Sequence, residues 1–214
     1  MHLPFLLSAL MLSKRNNGSQ IMDKTTLDRL LDKVRSCTLC QADLHHPTRP
    51  IVQAHQRAKI LIAGQAPGNK VQHSGIPFDD ASGDRLREWM SINKKQFYDA
   101  TKIAILPMGF CFPGTGKSGD LPPRKECAPQ WRDLLIDQLR NIELTLVIGQ
   151  YAMEWHLRED QKRNVTQQVL DWKKIGHIYF LYRTPVREII SGLRKIRGSE
   201  KKFCRNLRSK FLKS

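Results

Sequence analysis

KILIAGQAPG, the stretch from Lys59 to Gly68, decides the fold. Its first part is an aliphatic run typical of a buried strand, and a glycine-containing turn follows at once. Three later stretches have the same strand-like composition: KIAILP at Lys102–Pro107, ELTLVIG at Glu143–Gly149 and HIYFLY at His177–Tyr182. The sequence therefore predicts four buried strands.

Helical patterns separate these strands, over Gly83–Met90, Gln130–Leu139 and Gln150–Leu157, and a further helix with Asp23 as its predicted N-cap precedes them. Strands that alternate with helices indicate a sheet covered on both faces. The sequence therefore predicts an α/β fold of three layers, α/β/α, with a mostly parallel central sheet. Ligands of such sheets bind beyond the carboxyl ends of the strands, where the turn Gly64–Gly68 lies.

A chain of 214 residues accommodates one well-buried domain of this kind. The apolar run Leu3–Leu12 is too short to span a bilayer, and basic residues follow it where those of a signal peptide would precede it. We expect residues 1–21 to be a non-native extension, with Met22 opening the functional protein. We further expect a cytoplasmic monomer that makes no membrane contact.

The positive charge is concentrated at the end of the chain. The net charge is +16, and the segment Leu181–Ser214 supplies nine of these charges, from eleven Lys or Arg against two Glu. Such a tail could bind DNA phosphates, form a solvated helix, or be a segment translated out of frame. The remainder of the chain is only mildly basic.

The cysteines indicate a metal site more than a disulfide framework. Cys37 and Cys40 form a CxxC pair, and Cys111 and Cys127 lie far downstream with fifteen residues between them. Four thiolates can hold a 4Fe–4S cluster or a zinc ion. On spacing alone, the alternative that Cys111 and Cys127 are simply buried apolar side chains has similar weight.

Taken together, these motifs resemble the bacterial iron–sulfur branch of the uracil-DNA glycosylase superfamily. The resemblance rests on GQAPG after the first strand, on Pro77 and Phe78 before a glycine-led helix, and on the proline-rich stretch from Cys111 to Pro129. It covers roughly Met22 to Leu157 and implies a 4Fe–4S cluster on Cys37, Cys40, Cys111 and Cys127.

The resemblance also implies a division of roles in base excision from DNA. Phe78 would stack on a base flipped out of the DNA, and Gln65, Ala66, Pro67 and Gly68 would form the turn that positions water at the sugar. By itself, however, an aromatic side chain beside a turn is more often part of the core.

Two residues depart from the pattern of this branch. Gln65 stands where the branch usually carries Glu, and a neutral amide can orient water but cannot take its proton. Pro107 replaces the asparagine that reads the base and has no polar side chain. Specificity for uracil is therefore in doubt.

The HPS-type histidine motif of the family is absent after the last predicted strand, and His177 falls inside that strand. Read one frame over, codons compatible with Tyr182–Glu188 permit L-P-H-P-S-P-R, which supplies the missing motif. We therefore expect a glycosylase-like domain over residues 22–180 and an out-of-frame basic tail over residues 181–214. As written, the chain is expected to be inactive. The alternative is a non-catalytic iron–sulfur module that binds DNA or nucleotides.

Overall fold

The computed structural model describes residues 25–156 and 178–181. Its main sheet has four strands, namely β1 (Ile60–Ala63), β2 (Ile103–Ile105), β5 (Leu144–Ile148) and β6 (Ile178–Leu181). They lie in the order β2-β1-β5-β6, and every neighbouring pair is parallel. A short antiparallel hairpin, β3 (Thr115–Gly116) and β4 (Gly119–Asp120), stands apart from this sheet.

Helices precede, separate and follow the strands in the alternating order predicted. They are α1 (Thr26–Arg35), α2 (Asn69–Ser74), α3 (Ala81–Met90), α4 (Lys94–Phe97), α5 (Cys127–Ile136) and α6 (Gln150–His156), with a 3-10 turn at Gln41–Asp43. Helix α1 begins with a capping box between Thr25 and Asp28. Thr25 is therefore its N-cap, and the prediction of Asp23 was wrong.

Alternate side chains of the central strand enter two separate cores. Leu61 of β1 packs with buried side chains of α1 and α5, among them Leu31 and Leu135. Ile60 and Ile62 point to the opposite face, where they meet residues of α3 and α4. Helix α6 joins the first face, because its Ala152 and Met153 pack with Ala63 and Val147. The predicted three-layer α/β/α architecture with a parallel sheet is confirmed.

Helix α5 begins at Cys127, three residues before the predicted start at Gln130. Pro129 lies in the first turn of this helix, where proline is tolerated because its missing N–H has no intrahelical partner. The sequence analysis also missed α2, α4 and the β3–β4 hairpin. Each of these elements is too short to show a periodic pattern.

Candidate active site

The turn Gly64–Gly68 is fixed to the loop that follows β2. Met108 N–H donates to the carbonyl of Gly64, and Gly109 N–H donates to the carbonyl of Gln65, both at 2.9 Å. These bonds extend the contact between β1 and β2 past the ends of the two strands. The turn is thus a defined part of the carboxyl-end edge of the sheet.

The side chain of Gln65 points along this edge toward β5. Its Oε1 atom lies 3.8 Å from the position that a Cβ on Gly149 would take, and Gly149 has a φ of +89°. Its carboxamide makes no hydrogen bond to any residue that the structure describes, so its donor and acceptor are available to a ligand or water. Pro67 is buried, while Ala66 and Gly68 are half-buried.

Phe78 lies against the same turn, as the sequence predicted. A Cβ on Gly64 would be 3.2 Å from Cζ of Phe78, so a larger residue at position 64 would crowd the ring. The other side of the ring meets the Phe97 ring edge to face, with 6.1 Å between centroids. Phe78 is half-buried, so it both contacts the core and presents ring surface at the turn. The two sequence interpretations, core residue and ligand-stacking residue, are therefore compatible.

Two carboxylates flank the turn. Oδ2 of Asp120 and Oδ2 of Asp80 lie 3.3 and 3.9 Å from the position of a Cβ on Gly68. Asp80 is also the N-cap of α3, because its Oδ1 accepts a hydrogen bond from Gly83 N–H at 2.8 Å. Gln65 cannot accept a proton from water, whereas an ionised carboxylate at this position can. The sequence analysis missed Asp120, which only the fold brings to the turn.

Position 107 offers a ligand neither a polar side chain nor a backbone N–H. The carbonyl of Pro107 accepts a hydrogen bond from Nη1 of Arg132 at 2.9 Å. The same guanidinium also donates to the carbonyl of Leu106. Any recognition of a base at this edge must therefore come from other residues, and the free carboxamide of Gln65 has both a donor and an acceptor.

Arg132 and the half-buried His156 form a polar pair beneath this loop. Arg132 is fully buried, and its Nη2 donates to Nε2 of His156 at 2.9 Å, which requires a neutral imidazole. Burial, reinforced by the charge of Arg132, lowers the pKa of His156 to about 4. Burial also lowers the pKa of Arg132, to about 10, so the guanidinium stays charged at neutral pH.

All four predicted ligand cysteines line one cavity. They come from three separate places in the chain, and each is a free thiol: Cys37, Cys40, Cys111 and Cys127. Pro50, Phe110 and Trp131 supply apolar lining. The fold thus gathers Cys111 and Cys127 with the CxxC pair, and Cys127 also packs in the core beside α1 and α5.

Two of these sulfur atoms, those of Cys37 and Cys127, accept a hydrogen bond. The indole N–H of Trp131 donates to Cys37 and the backbone N–H of Phe110 donates to Cys127, both at 3.3 Å. The side chain of Arg124 and the backbone of Arg49 act in the same direction on Cys40 and Cys111, since each lowers the pKa of the nearby thiol. Hydrogen bonds of this kind favour the thiolate, which is the form that binds a metal.

Burial acts in the opposite direction on the thiols. It raises the pKa of Cys127 to about 12 and that of Cys111 to about 11, and it also raises the pKa of Cys40. A bound metal cation offsets this burial penalty because it stabilises the thiolate and displaces the thiol proton. Within residues 25–156 and 178–181, no three His, Cys, Asp or Glu side chains are grouped around a single metal-ion position.

The remaining predictions concern parts of the chain outside the described residues. These are the extension 1–21, the boundary at Met22, the position of His177, and the segment 181–214 apart from Leu181. Among the described helices, none has the length and apolar character that crossing a membrane requires.

The fold and this edge define an α/β domain whose turn Gly64–Gly68 lies beyond the carboxyl end of a parallel strand, where sheets of this kind bind ligands. The family model of the uracil DNA glycosylase superfamily matches residues 52–194, more than half of the chain. The protein therefore belongs to the uracil DNA glycosylase superfamily, whose members act on DNA as repair hydrolases. The match includes the turn, Phe78, Cys111 and Cys127. It begins after Cys37 and Cys40, and it ends inside the segment predicted to be out of frame.

The pair of Arg132 and His156 predicts a loss of stability in acid. Unfolding returns the pKa of His156 to about 6.5. Between about pH 6.5 and pH 4, the unfolded chain therefore binds a proton that the native chain does not bind. Stability from this pair is thus complete above pH 6.5 and is lost as the pH falls toward 4.

Urea unfolding of His156→Gln across this range should show a flatter pH dependence than the unchanged chain. His73→Gln, at an exposed histidine, is the matched control and should follow the unchanged chain. Parallel curves for the unchanged chain and His156→Gln would contradict this assignment.

Proposed function

We propose that this protein is a glycosylase of the iron–sulfur branch, built to remove a base that has been flipped out of DNA. The position of the Phe78 ring carries the proposal, because its Cζ lies 3.2 Å from where a Cβ on Gly64 would be and the aromatic side chain is thus set beside the turn. A flipped base needs a flat partner, and aromatic stacking supplies one without regard to sequence.

In this proposal the turn positions the attacking water. The unpartnered carboxamide of Gln65 orients the water or the sugar, while the carboxylates of Asp80 and Asp120, which lie beside Gly68, are able to take a proton. Pro107 leaves base recognition to other side chains, which supports a substrate base other than uracil. DNA is the partner, and we propose that the chain acts as a monomer.

We further propose that Cys37, Cys40, Cys111 and Cys127 hold a 4Fe–4S cluster. The residues fit such a group, because four free thiols line one cavity and the sulfur atoms of Cys37 and Cys127 accept hydrogen bonds there. The cluster would supply cross-linking of the N-terminal segment to the loop after β2. Free thiols in this number also favour a reducing compartment such as the cytoplasm. Zinc is the alternative metal.

We propose that the chain as written lacks activity because its tail is out of frame. The residues that follow β6 contain no histidine, whereas the shifted frame permits L-P-H-P-S-P-R at the position where the family carries its histidine. In this view residues 1–21 are an extension, residues 22–180 form the glycosylase domain, and residues 181–214 are not native. The family match as far as residue 194 weighs against a boundary as early as 181.

The second candidate is a non-catalytic module that binds DNA or nucleotides. Pro107 and Gln65 favour it, because both stand where a working uracil glycosylase of this branch carries a functional side chain. A module of this kind would keep the cavity and the stacking aromatic but would not cleave the glycosidic bond. Excision by a frame-restored chain distinguishes the two candidates.

Protein purified without oxygen should be brown and should carry about four irons per chain, as a 4Fe–4S cluster requires. Iron and zinc analysis, together with visible absorbance, measures this. Cys111→Ser should lower both the iron content and the melting temperature, because the metal closes a long loop. Cys204→Ser is the matched control and should change neither. Stoichiometric zinc without iron would overturn the cluster.

Restoring the frame after Phe180 should create base excision that the written chain lacks. Deletion of one group that stabilises a departing anion typically costs about 10² to 10³ in rate. Single-turnover assays on DNA containing uracil, hypoxanthine or xanthine should therefore detect at least this difference. The same restored chain with its new histidine changed to alanine is the control. Robust excision by the written chain, or genomic reads that confirm the written frame, would contradict the proposal.

Phe78→Ala in the frame-restored chain should weaken excision by about five-fold to 150-fold, the range expected when stacking on one base is lost. The fold should survive, because Phe78 is only half-buried. Leu86→Ala removes a fully buried side chain from the same core and is the matched control. It should lower the melting temperature yet preserve excision per folded molecule. Equal activity of Phe78→Ala and the unchanged site would leave Phe78 as a core residue only.

A further inference from the structure

We propose that Arg87 is a positioning residue that holds Phe78 in the conformation needed for stacking on a base. The inference rests on the proposed function, since it gives Phe78 the role of the stacking aromatic. In this proposal Arg87 contacts neither the DNA nor the attacking water and acts only by holding Phe78 in place.

The backbone of Phe78 is in an unfavourable conformation. Its φ is +57°, in the left-handed region that a bulky side chain rarely adopts. Such a conformation persists only where the surroundings impose it. At this position the surroundings are therefore expected to contain a group that holds the residue in place.

Two residues of helix α3, Gly83 and Arg87, lie against the carbonyl of Phe78. A Cβ on Gly83 would lie 1.8 Å from the carbonyl oxygen, so only glycine allows helix α3 to approach this closely. Nη1 of Arg87, one turn further along α3, donates to the same oxygen at 3.2 Å. The first turns of α3 thus fix the direction of the peptide that carries the ring.

Arg87 also reaches the ring of Phe78 through Phe97. Its guanidinium lies over the Phe97 ring, 5.1 Å from the centroid, and Phe97 meets Phe78 edge to face. One cation therefore contacts the backbone of Phe78 directly and supports its ring indirectly. This arrangement limits both the position and the tilt of the ring.

The burial of Arg87 is not explained by its ion pair. Nη2 donates to Asp84 at 2.6 Å, but the side chain of Asp84 is 69% exposed whereas that of Arg87 is 6% exposed. An exposed pair on one helix face would satisfy Asp84 without the cost of burying a guanidinium. The buried position is instead the one from which Arg87 reaches the Phe78 carbonyl and the Tyr98 hydroxyl.

The test measures base stacking apart from phosphate binding and apart from catalysis. The probe is a short DNA strand that is abasic except for a single uracil, and the reference is the same strand with no base. Fluorescence anisotropy with the full metal-loaded chain gives the ratio of the two dissociation constants. Stacking should make the base-bearing strand bind at least about five-fold more tightly.

Arg87→Met should reduce this ratio to that of Phe78→Ala, near one, while affinity for the fully abasic strand stays unchanged. Arg87→Lys should give an intermediate ratio, because an ammonium keeps the charge but lacks the planar fork that reaches several acceptors. Tyr98→Phe removes one acceptor of Arg87 and leaves its bond to Phe78, so it is the matched control and should keep the full ratio.

Near-ultraviolet circular dichroism and melting curves establish that each variant is folded. If Arg87→Met does not fold, the ratio for Arg87→Lys decides, and a full ratio in that variant overturns the inference. A ratio lost in Phe78→Ala but kept in folded Arg87→Met overturns the inference alone. A ratio near one in the unchanged chain overturns the proposed stacking function and the inference with it.

Discussion

The parallel pairing of β1 with both β2 and β5 brings the candidate site together. Ile62 of β1 pairs with Ile105, and Ala63 pairs with Val147, so three strands reach their carboxyl ends at one level. The turn after β1, the loop after β2 and Gly149 after β5 then meet along a single edge. Hydrogen bonds from Met108 and Gly109 fix the first two of these segments to one another. A sheet with one of these pairings antiparallel would separate the groups that the site requires.

Much of this arrangement could be predicted from local sequence. Fully buried parallel strands are apolar on both faces, so runs such as KILIAG stand out without an alternating pattern. The alternation of strands with helices then fixes the layers and places the turn Gly64–Gly68 at the ligand edge. The predicted strands match the observed ones within one or two residues, as with β1 at Ile60–Ala63. Helix starts were less certain because a proline such as Pro129 interrupts the pattern without ending the helix.

The long-range polar contacts could not be predicted. The sequence around Arg132 does not indicate that its side chain is buried. Arg132 nevertheless donates hydrogen bonds to the carbonyls of Leu106 and Pro107, more than twenty residues away. Asp120 belongs to a hairpin of two-residue strands, and only the folded chain brings it to Gly68. Arg87 shows in the sequence as an ordinary helical cation with an acidic residue three positions before it. Its burial and its hydrogen bond to the carbonyl of Phe78 distinguish Arg87 from a cation in a surface ion pair.

The loop after β2 links the cysteine cavity to the turn within a few residues. Met108 and Gly109 donate to the turn, Phe110 donates to the sulfur of Cys127, and Cys111 itself lines the cavity. Arg132 holds the start of the same loop through the carbonyl of Pro107. Because Met108 and Gly109 bond to the turn and the next residue, Phe110, bonds to the cavity, a shift of the loop toward the cavity would weaken its bonds to the turn. The order of the cysteine cavity and the geometry of the turn therefore depend on each other, although different residues form the two sites.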